Sequence, residues 1–222
     1  VDRIRKRMFP PFELSVIVDP RGSYTTASAA VLKTLQLSMK LGLGTFEGKT
    51  VTVLAGTGPV GIAAAWLYAM EGASKVIVTS RELSRAQKVA SLINNELKVN
   101  KVMGVEAKTP EQVGEAIRDS TIVLSTGAPG VTLLPLNILK NYGRNVKIVA
   151  DVNAIPPYGV EGIDPNMDGK ELIPGVYGIG ALVIGVLKNN IEAELIKKAL
   201  SEPKGIFDFR AAYEVGKSIF LK

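Results

Sequence analysis

The sequence contains neither cysteine nor histidine among its 222 residues. Without cysteine, the chain cannot form disulfide bonds, thiolate metal sites or a cysteine nucleophile. Without histidine, it lacks the most frequent general base and the most frequent zinc ligand, so acid–base chemistry would fall to Lys, Asp, Glu, Tyr or water. We therefore expect no metal site.

Long apolar runs are also lacking. No stretch reaches the roughly 18 consecutive apolar residues of a membrane span, and no charged-then-apolar leader precedes the first predicted strand. We expect a cytoplasmic protein without membrane contact. Hydrophobic residues make up 46% and charged residues 22% of the chain, as in ordinary soluble folded domains. The length corresponds to one large domain or two small ones.

The net charge is +6, from 27 Lys and Arg against 21 Asp and Glu. Outside residues 3–7 the basic residues are scattered, and no helix-turn-helix signature or aromatic RNA-binding strand accompanies them. We therefore expect no nucleic-acid partner. A modest positive excess is compatible with an anionic cofactor and an acidic substrate.

The hydrophobic pattern predicts alternating strands and helices. A strand at 12–18 is followed by a turn and by a helix over 27–41, for which Ser23 or Thr25 is the expected cap. Further strands are predicted at 49–55, 75–79, 101–106, 121–125 and 146–151, with helices at 62–71, 80–97, 110–117 and 134–141. Short links between alternating strands and helices predict a parallel sheet covered on both faces.

We therefore predict an α/β protein with two parts. Residues 48–180 should form a Rossmann-type doubly wound parallel sheet that binds a dinucleotide. Residues 1–47 and 181–222 should come together from both chain ends as a smaller α/β substrate lobe.

A glycine-rich turn joins the strand at 49–55 to the next helix, and its residues are Gly56, Thr57, Gly58, Pro59, Val60 and Gly61. Gly56 permits the tight turn, Gly58 lets a pyrophosphate approach, and Gly61 lets the helix lie close to the strand. The helix start offers free N–H groups and a partial positive charge to the phosphates. The alternative is a strand–helix connector that binds nothing.

The end of the next strand indicates which nicotinamide cofactor binds. An NAD site usually has Asp or Glu there, whereas this strand leads into Ser80 and Arg81 without an acid at its end. Arg81 and Arg85 are four residues apart on the predicted helix, so both guanidinium groups could face the 2′-phosphate of NADP. The alternative is a pair of solvated arginines.

Two further segments are expected near the cofactor. Thr126, Gly127 and Ala128 follow the strand at 121–125, and their backbone could approach the nicotinamide ribose, although an ordinary turn has the same composition. Asn153 follows the strand at 146–151 and is expected to form part of the pocket wall on the cofactor side.

Four separated segments match one known family. They are DPRGSYTTA at 19–27, VLAGTGPVG at 53–61, ADVNAIPP at 150–157, and GAL at 180–182 followed by IG at 184–185 and LK at 187–188. Over nearly its whole length the sequence resembles the NADP-dependent methylene-tetrahydromethanopterin dehydrogenases, which are related to methylenetetrahydrofolate dehydrogenases. The resemblance implies reversible hydride transfer between NADP and the methylene bridge of a pterin one-carbon carrier, which gives the methenyl form.

The resemblance also implies substrate residues. Lys188 matches a family lysine at the pterin site, where an ammonium group could position the pterin electrostatically; the alternative is a surface lysine at a helix start. The loop that contains Asp19, Gly22, Ser23, Thr25 and Thr26 is the other expected pterin contact, although its hydroxyls could equally be helix caps.

Other functions stay open. A shikimate-type NADP dehydrogenase and a non-catalytic NADPH-binding protein are the alternatives, and the carrier could be a methanopterin or a folate, which have similar reacting rings. Family members carry a further N-terminal segment that we expect this chain to lack. They also associate, so we expect a homo-oligomer.

Overall fold

The computed structural model describes residues 2–220. Its helices are α1 (Asp2–Arg5), α2 (Ser23–Lys40), α3 (Pro59–Met70), α4 (Leu83–Leu97), α5 (Pro110–Ile117), α6 (Leu136–Tyr142), α7 (Ala181–Ser201) and α8 (Phe209–Phe220). Its strands are β1 (Ser15–Ile17), β2 (Thr50–Leu54), β3 (Lys75–Ser80), β4 (Val102–Glu106), β5 (Ile122–Ser125), β6 (Ile148–Asp151), β7 (Asp168–Ile173), β8 (Val176–Ile179) and β9 (Gly205–Phe207).

The main sheet has the strand order β4-β3-β2-β5-β6-β8-β7. All neighbouring pairs are parallel except β7 and β8, which are antiparallel. Connections lead from β2 outward to β3 and β4, and then return to β5 on the other side of β2. Ligands of such sheets bind in the crevice at this reversal point, beyond the carboxyl ends of the strands. The predicted α/β fold with a Rossmann-type parallel sheet is confirmed.

Alternate residues of the central strands bury their side chains on opposite faces of the sheet. Val51 and Val53 join the apolar cluster that includes residues of α2 and α3. Leu54, Val123 and Val149 join the cluster that includes residues of α5 and α6. Because both faces are covered, these strands appear in the sequence as nearly continuous apolar runs.

The edge hairpin formed by β7 and β8 was not predicted from the sequence. Its outer strand β7 contains Asp168, Gly169, Lys170 and Glu171, so it lacks an apolar run. Such a strand is suited to an exposed edge, where charged side chains discourage pairing with other chains.

The two ends of the chain meet. β1 pairs in parallel with β9, and α2 packs against α3, α7 and α8. One apolar cluster includes residues of α2, of the central strands and of α8, such as Ala30, Val51 and Tyr213. The division into two lobes remains a prediction, and residues 1, 221 and 222 of its proposed ranges lie outside the described residues. None of the described helices combines the length and the apolar character that crossing a membrane requires.

Candidate functional site

The glycine-rich turn is fixed to the neighbouring strand by two hydrogen bonds that its backbone N–H groups donate to Thr79. The N–H of Ala55 donates to the hydroxyl oxygen of Thr79 at 3.0 Å, and the N–H of Gly56 donates to the carbonyl of Thr79 at 2.9 Å. Ala55 itself has a positive φ of 50°. The chain therefore leaves β2 in a tight, anchored turn and enters α3 at Pro59.

The three glycines of this turn differ in why they are needed. A Cβ on Gly61 would lie 2.5 Å from Cα of Gly56, and a Cβ on Gly56 would lie 3.0 Å from the carbonyl oxygen of Val53. Gly58, in contrast, has an ordinary φ of −83°, and a Cβ there would meet nothing within 4 Å. Folding alone thus explains Gly61 and Gly56, but not Gly58. The open space beside Gly58 matches what a bound diphosphate requires.

The start of α3 is open to an anion. No side chain in the described part of the chain caps this helix, and Pro59 occupies its first turn, where a missing N–H costs little. The next N–H groups, those of Val60 and Gly61, lie where a helix carries partial positive charge. The turn can therefore hold phosphate oxygens with backbone donors.

A cleft of about 220 Å³ extends from this turn along the carboxyl ends of β2, β3 and β5. Six of the predicted cofactor residues line this cleft: Thr57, Ser80, Arg81, Arg85, Gly127 and Ala128. Residues distant in sequence thus form one crevice at the reversal point of the sheet.

The placement of Arg81 corrects the sequence-based interpretation. β3 continues through Ser80, which pairs with Glu106 of β4, and α4 begins only at Leu83. Arg81 therefore lies in the link between β3 and α4, while Arg85 lies in the first turn of α4. The two guanidinium groups still line one cleft, but they reach it from different elements.

The structure adds an acidic residue that the sequence interpretation missed. Glu82 lines the same cleft as the two arginines. Its carboxylate forms an ion pair with Arg85 at 3.0 Å, with both side chains more than half exposed. The signal was present in the sequence, because Glu82 lies two residues beyond the end of β3, but the sequence analysis assigned Glu82 to the first turn of a helix that begins at Ser80.

The segment after β5 is tied to the glycine-rich turn. Thr126 donates to the carbonyl of Leu54 through its N–H at 3.1 Å and through its hydroxyl at 2.8 Å. Gly127 is tightly packed, since a Cβ there would lie 2.6 Å from a methyl carbon of Leu133. Thr126 thus supports the floor of the cleft, while Gly127 and Ala128 line it.

The segment after β6 is organised by a buried carboxyl group. Asp151 has no exposed surface and accepts hydrogen bonds from the N–H groups of Asn153 and Val160, each at 3.1 Å. Burial raises the pKa of Asp151 above its ordinary value. The side chain of Asn153 accepts from the N–H of Ile155 at 3.0 Å and does not line the cleft described above. A cofactor contact by Asn153 stays a prediction.

The predicted catalytic lysine meets the predicted substrate loop. Lys188 lies in the third turn of α7, not at the helix start that the alternative interpretation assumed. A Cβ on Gly22 would lie 3.2 Å from Cε and 3.5 Å from Nζ of Lys188. The lysine side chain is 22% exposed and forms an ion pair with Glu192. The fold therefore places this ammonium group directly against the loop.

The hydroxyls of the loop are used locally. The predicted cap by Ser23 or Thr25 is wrong, because α2 begins at Ser23 and follows Gly22, which has a positive φ of 71°. Asp19 takes the capping role: its carboxylate accepts from the N–H of Tyr24 and from the hydroxyl of Thr25, both at 2.7 Å.

The remaining two hydroxyls bond to backbone carbonyls. Ser23 donates to Pro20 and Thr26 donates to Gly22, both at 2.6 Å. These bonds fix the loop beneath Lys188. Within residues 2–220, no group of three or more Asp and Glu side chains is arranged to hold a metal ion.

Comparison with known proteins shows two curated relatives, both from Methylorubrum extorquens. A bifunctional protein named MdtA is 39% identical over 218 residues, which cover 98% of this chain and 73% of that protein. An NAD(P)-dependent methylenetetrahydromethanopterin dehydrogenase is 34% identical over 222 residues, covering 99% of this chain and 74% of that enzyme. No protein-family model matches the chain.

Solved structures show the same fold at low sequence identity. A quinate dehydrogenase from Corynebacterium glutamicum in complex with NAD has a TM-score of 0.55 at 17% identity, with 95% of this chain and 76% of that chain covered. A shikimate 5-dehydrogenase from Listeria monocytogenes in complex with shikimate and NAD has a TM-score of 0.52 at 18% identity, with 86% and 62% covered.

Proposed function

We propose, because the chain belongs to the family of the NAD(P)-dependent methylenetetrahydromethanopterin dehydrogenases, that it transfers a hydride between NADP and the methylene bridge of a tetrahydromethanopterin one-carbon carrier. The reaction would give the methenyl form of the carrier. Members of this family are oxidoreductases. The observation that carries the proposal for this chain is the cleft at the reversal point of the sheet, which is lined by Thr57 of the glycine-rich turn and by Arg81.

The diphosphate part of the cofactor would be held by the turn. The uncapped start of α3 supplies N–H donors, and Gly58 leaves room for the phosphates to reach them. Neither the φ of Gly58 nor packing around it requires a glycine, so the ligand is the physical reason for its presence.

The adenosine end would select NADP. Arg81 lines the cleft and forms no salt bridge with any side chain that the structure describes. A guanidinium group without a carboxylate partner is suited to bind the 2′-phosphate with two hydrogen bonds. Arg85 could add a second cation once its ion pair with Glu82 opens.

The pterin would lie beside Lys188. The bound cofactor supplies the hydride acceptor, so the protein has to align the two rings and exclude water rather than form a covalent bond. Lys188 would orient the pterin by electrostatic attraction and hydrogen bonding, and Gly22 makes room for its methylene chain. Asp19 keeps the loop in place through its bonds to Tyr24 and Thr25.

The test is a turnover assay with three substrates. The protein is mixed with NADP and methylene-tetrahydromethanopterin, methylene-tetrahydrofolate or shikimate, and the absorbance of NADPH is followed. We expect NADPH to form with the methanopterin carrier. Turnover of shikimate alone would refute the proposal, and NADP binding without any turnover would favour a non-catalytic NADPH-binding protein. We keep a cytoplasmic location and a homo-oligomeric state as predictions.

A further inference from the structure

The end of the cleft where the adenosine would bind contains one acidic side chain and two arginine side chains. Arg81, Glu82 and Arg85 all line the same crevice. An acidic residue near this position favours NAD, because it accepts a hydrogen bond from the ribose 2′-hydroxyl, whereas arginines favour NADP. The crevice therefore contains the chemistry of both types of cofactor site.

Within residues 2–220, the contacts of the Glu82 side chain give no structural reason for a glutamate at this position beyond its ion pair with Arg85. Glu82 precedes α4, but its side chain makes no capping hydrogen bond to that helix. Its backbone N–H donates to the hydroxyl of Ser80 at 3.2 Å, a bond that any residue could make. The carboxylate of Glu82 instead forms its ion pair with Arg85.

This ion pair is weak enough to be exchanged. The side chains of Arg85 and Glu82 are 66% and 56% exposed, so water and salt screen their attraction. A 2′-phosphate carries more charge than a carboxylate and offers more acceptor oxygens to the same guanidinium group. NADP can therefore displace Glu82 from Arg85, but it has to separate the pair and accept a nearby negative charge.

We propose that Glu82 sets the cofactor preference of this protein by competing with the 2′-phosphate of NADP for Arg85. In the free protein the carboxylate occupies Arg85. When NAD binds, it brings no 2′-phosphate, so the ion pair stays closed and the remaining acceptor sites of the Glu82 carboxylate are available to the ribose hydroxyls. The carboxylate thus lowers the affinity for NADP without lowering the affinity for NAD. It therefore reduces the preference for NADP over NAD that Arg81 creates. This inference rests on the nicotinamide cofactor of the proposed function.

The experiment measures the dissociation constants of NADP and NAD by calorimetry at low ionic strength, without pterin. We expect Glu82→Gln to raise the preference for NADP over NAD by about fivefold, since NADP no longer has to open an exposed ion pair in order to reach Arg85. The matched control is Glu96→Gln, the same change on an exposed residue about 21 Å further along α4, which should leave both constants unaltered.

A double-mutant cycle separates competition for Arg85 from simple repulsion. In an Arg85→Ala background, Glu82→Gln should change the NADP preference by less than about twofold, because the contested partner is gone. An equal gain in that background, or no change of preference in Glu82→Gln itself, would overturn the inference while leaving the proposed function intact. If the wild-type protein bound neither dinucleotide, both proposals would be wrong.

Discussion

Replacing Gly58 by Ala tests the phosphate-binding turn most directly. Apart from the adjacent residues of the chain, the added methyl group would meet no atom of the described residues within 4 Å, and the φ of −83° suits alanine, so the fold should be unaffected. Removing glycine flexibility from the unfolded chain should even stabilise the protein by about 0.4–1 kcal/mol. The methyl group would, however, occupy the space that a diphosphate needs in order to reach the N–H groups of α3.

The expected loss of affinity follows from the hydrogen bonds that become impossible. A hydrogen bond to a charged group contributes about 1.5–3 kcal/mol. Each bond lost should therefore raise the dissociation constant roughly tenfold to 150-fold. Both NADP and NAD should be affected equally, because they share the diphosphate. Calorimetric titration with each dinucleotide measures the loss, and thermal unfolding verifies the fold.

Two other glycines serve as controls. Gly185 in α7 also has open space around it, so Gly185→Ala should leave dinucleotide affinity unaltered and the helix slightly more stable. Gly61→Ala should instead disrupt folding, since its Cβ would lie 2.5 Å from Cα of Gly56. Our reasoning about the turn would be refuted if the Gly58→Ala substitution unfolded the protein. It would also be refuted if the folded variant bound dinucleotides as tightly as the wild-type protein.

Three further predictions follow from the site. Arg81→Ala should weaken NADP binding by about tenfold and leave NAD binding unaltered, as measured by calorimetry. Lys188→Ala should lower kcat by about a hundredfold in the turnover assay while NADP affinity persists, whereas Lys197→Ala, an exposed lysine of the same helix, should leave kcat unaltered. For Asp151, burial raises the pKa of the folded state above the ordinary 3.8, so the folded protein retains the proton more tightly than the unfolded chain. The free energy of unfolding of wild type relative to Asp151→Asn should therefore fall as the pH rises through that raised pKa, which denaturant unfolding from about pH 4 to about pH 8 would measure.

Each of these predictions has a clear contrary result. Equal losses of NADP and NAD affinity in Arg81→Ala would indicate a general effect on the cleft instead of recognition of the 2′-phosphate. Unaltered kcat in Lys188→Ala would remove Lys188 from the substrate site. A stability difference that stayed constant with pH would show that Asp151 titrates alike in the folded and the unfolded chain.

Local pattern predicted most of the strands and helices of the main sheet. Buried strands such as β2 and β5 are rich in β-branched and apolar residues, and helices such as α5 begin at clear signals, so neighbouring residues suffice to identify them. The edge strand β7 was missed because its partner on the sheet, not its own composition, makes it a strand.

The start of α4 was misjudged for a related reason. The sequence predicted that the helix begins at Ser80, yet the pairing of Ser80 with Glu106 of β4 extends β3 through this residue. The delayed helix start moves Arg81 into a link and brings Glu82 to the rim of the cleft. Strand length in a sheet is set by the neighbouring strand, which the local sequence does not contain.

The sequence by itself determined the parallel sheet, the glycine-rich turn and the presence of arginines after the second strand of that sheet, because each depends on residues close together in the chain. Only the tertiary structure decided that Lys188 packs over Gly22 and that Glu82 pairs with Arg85 in the same cleft as Arg81. These contacts depend on how α7 lies against the loop before α2 and on where α4 begins, and packing of the whole chain fixes both.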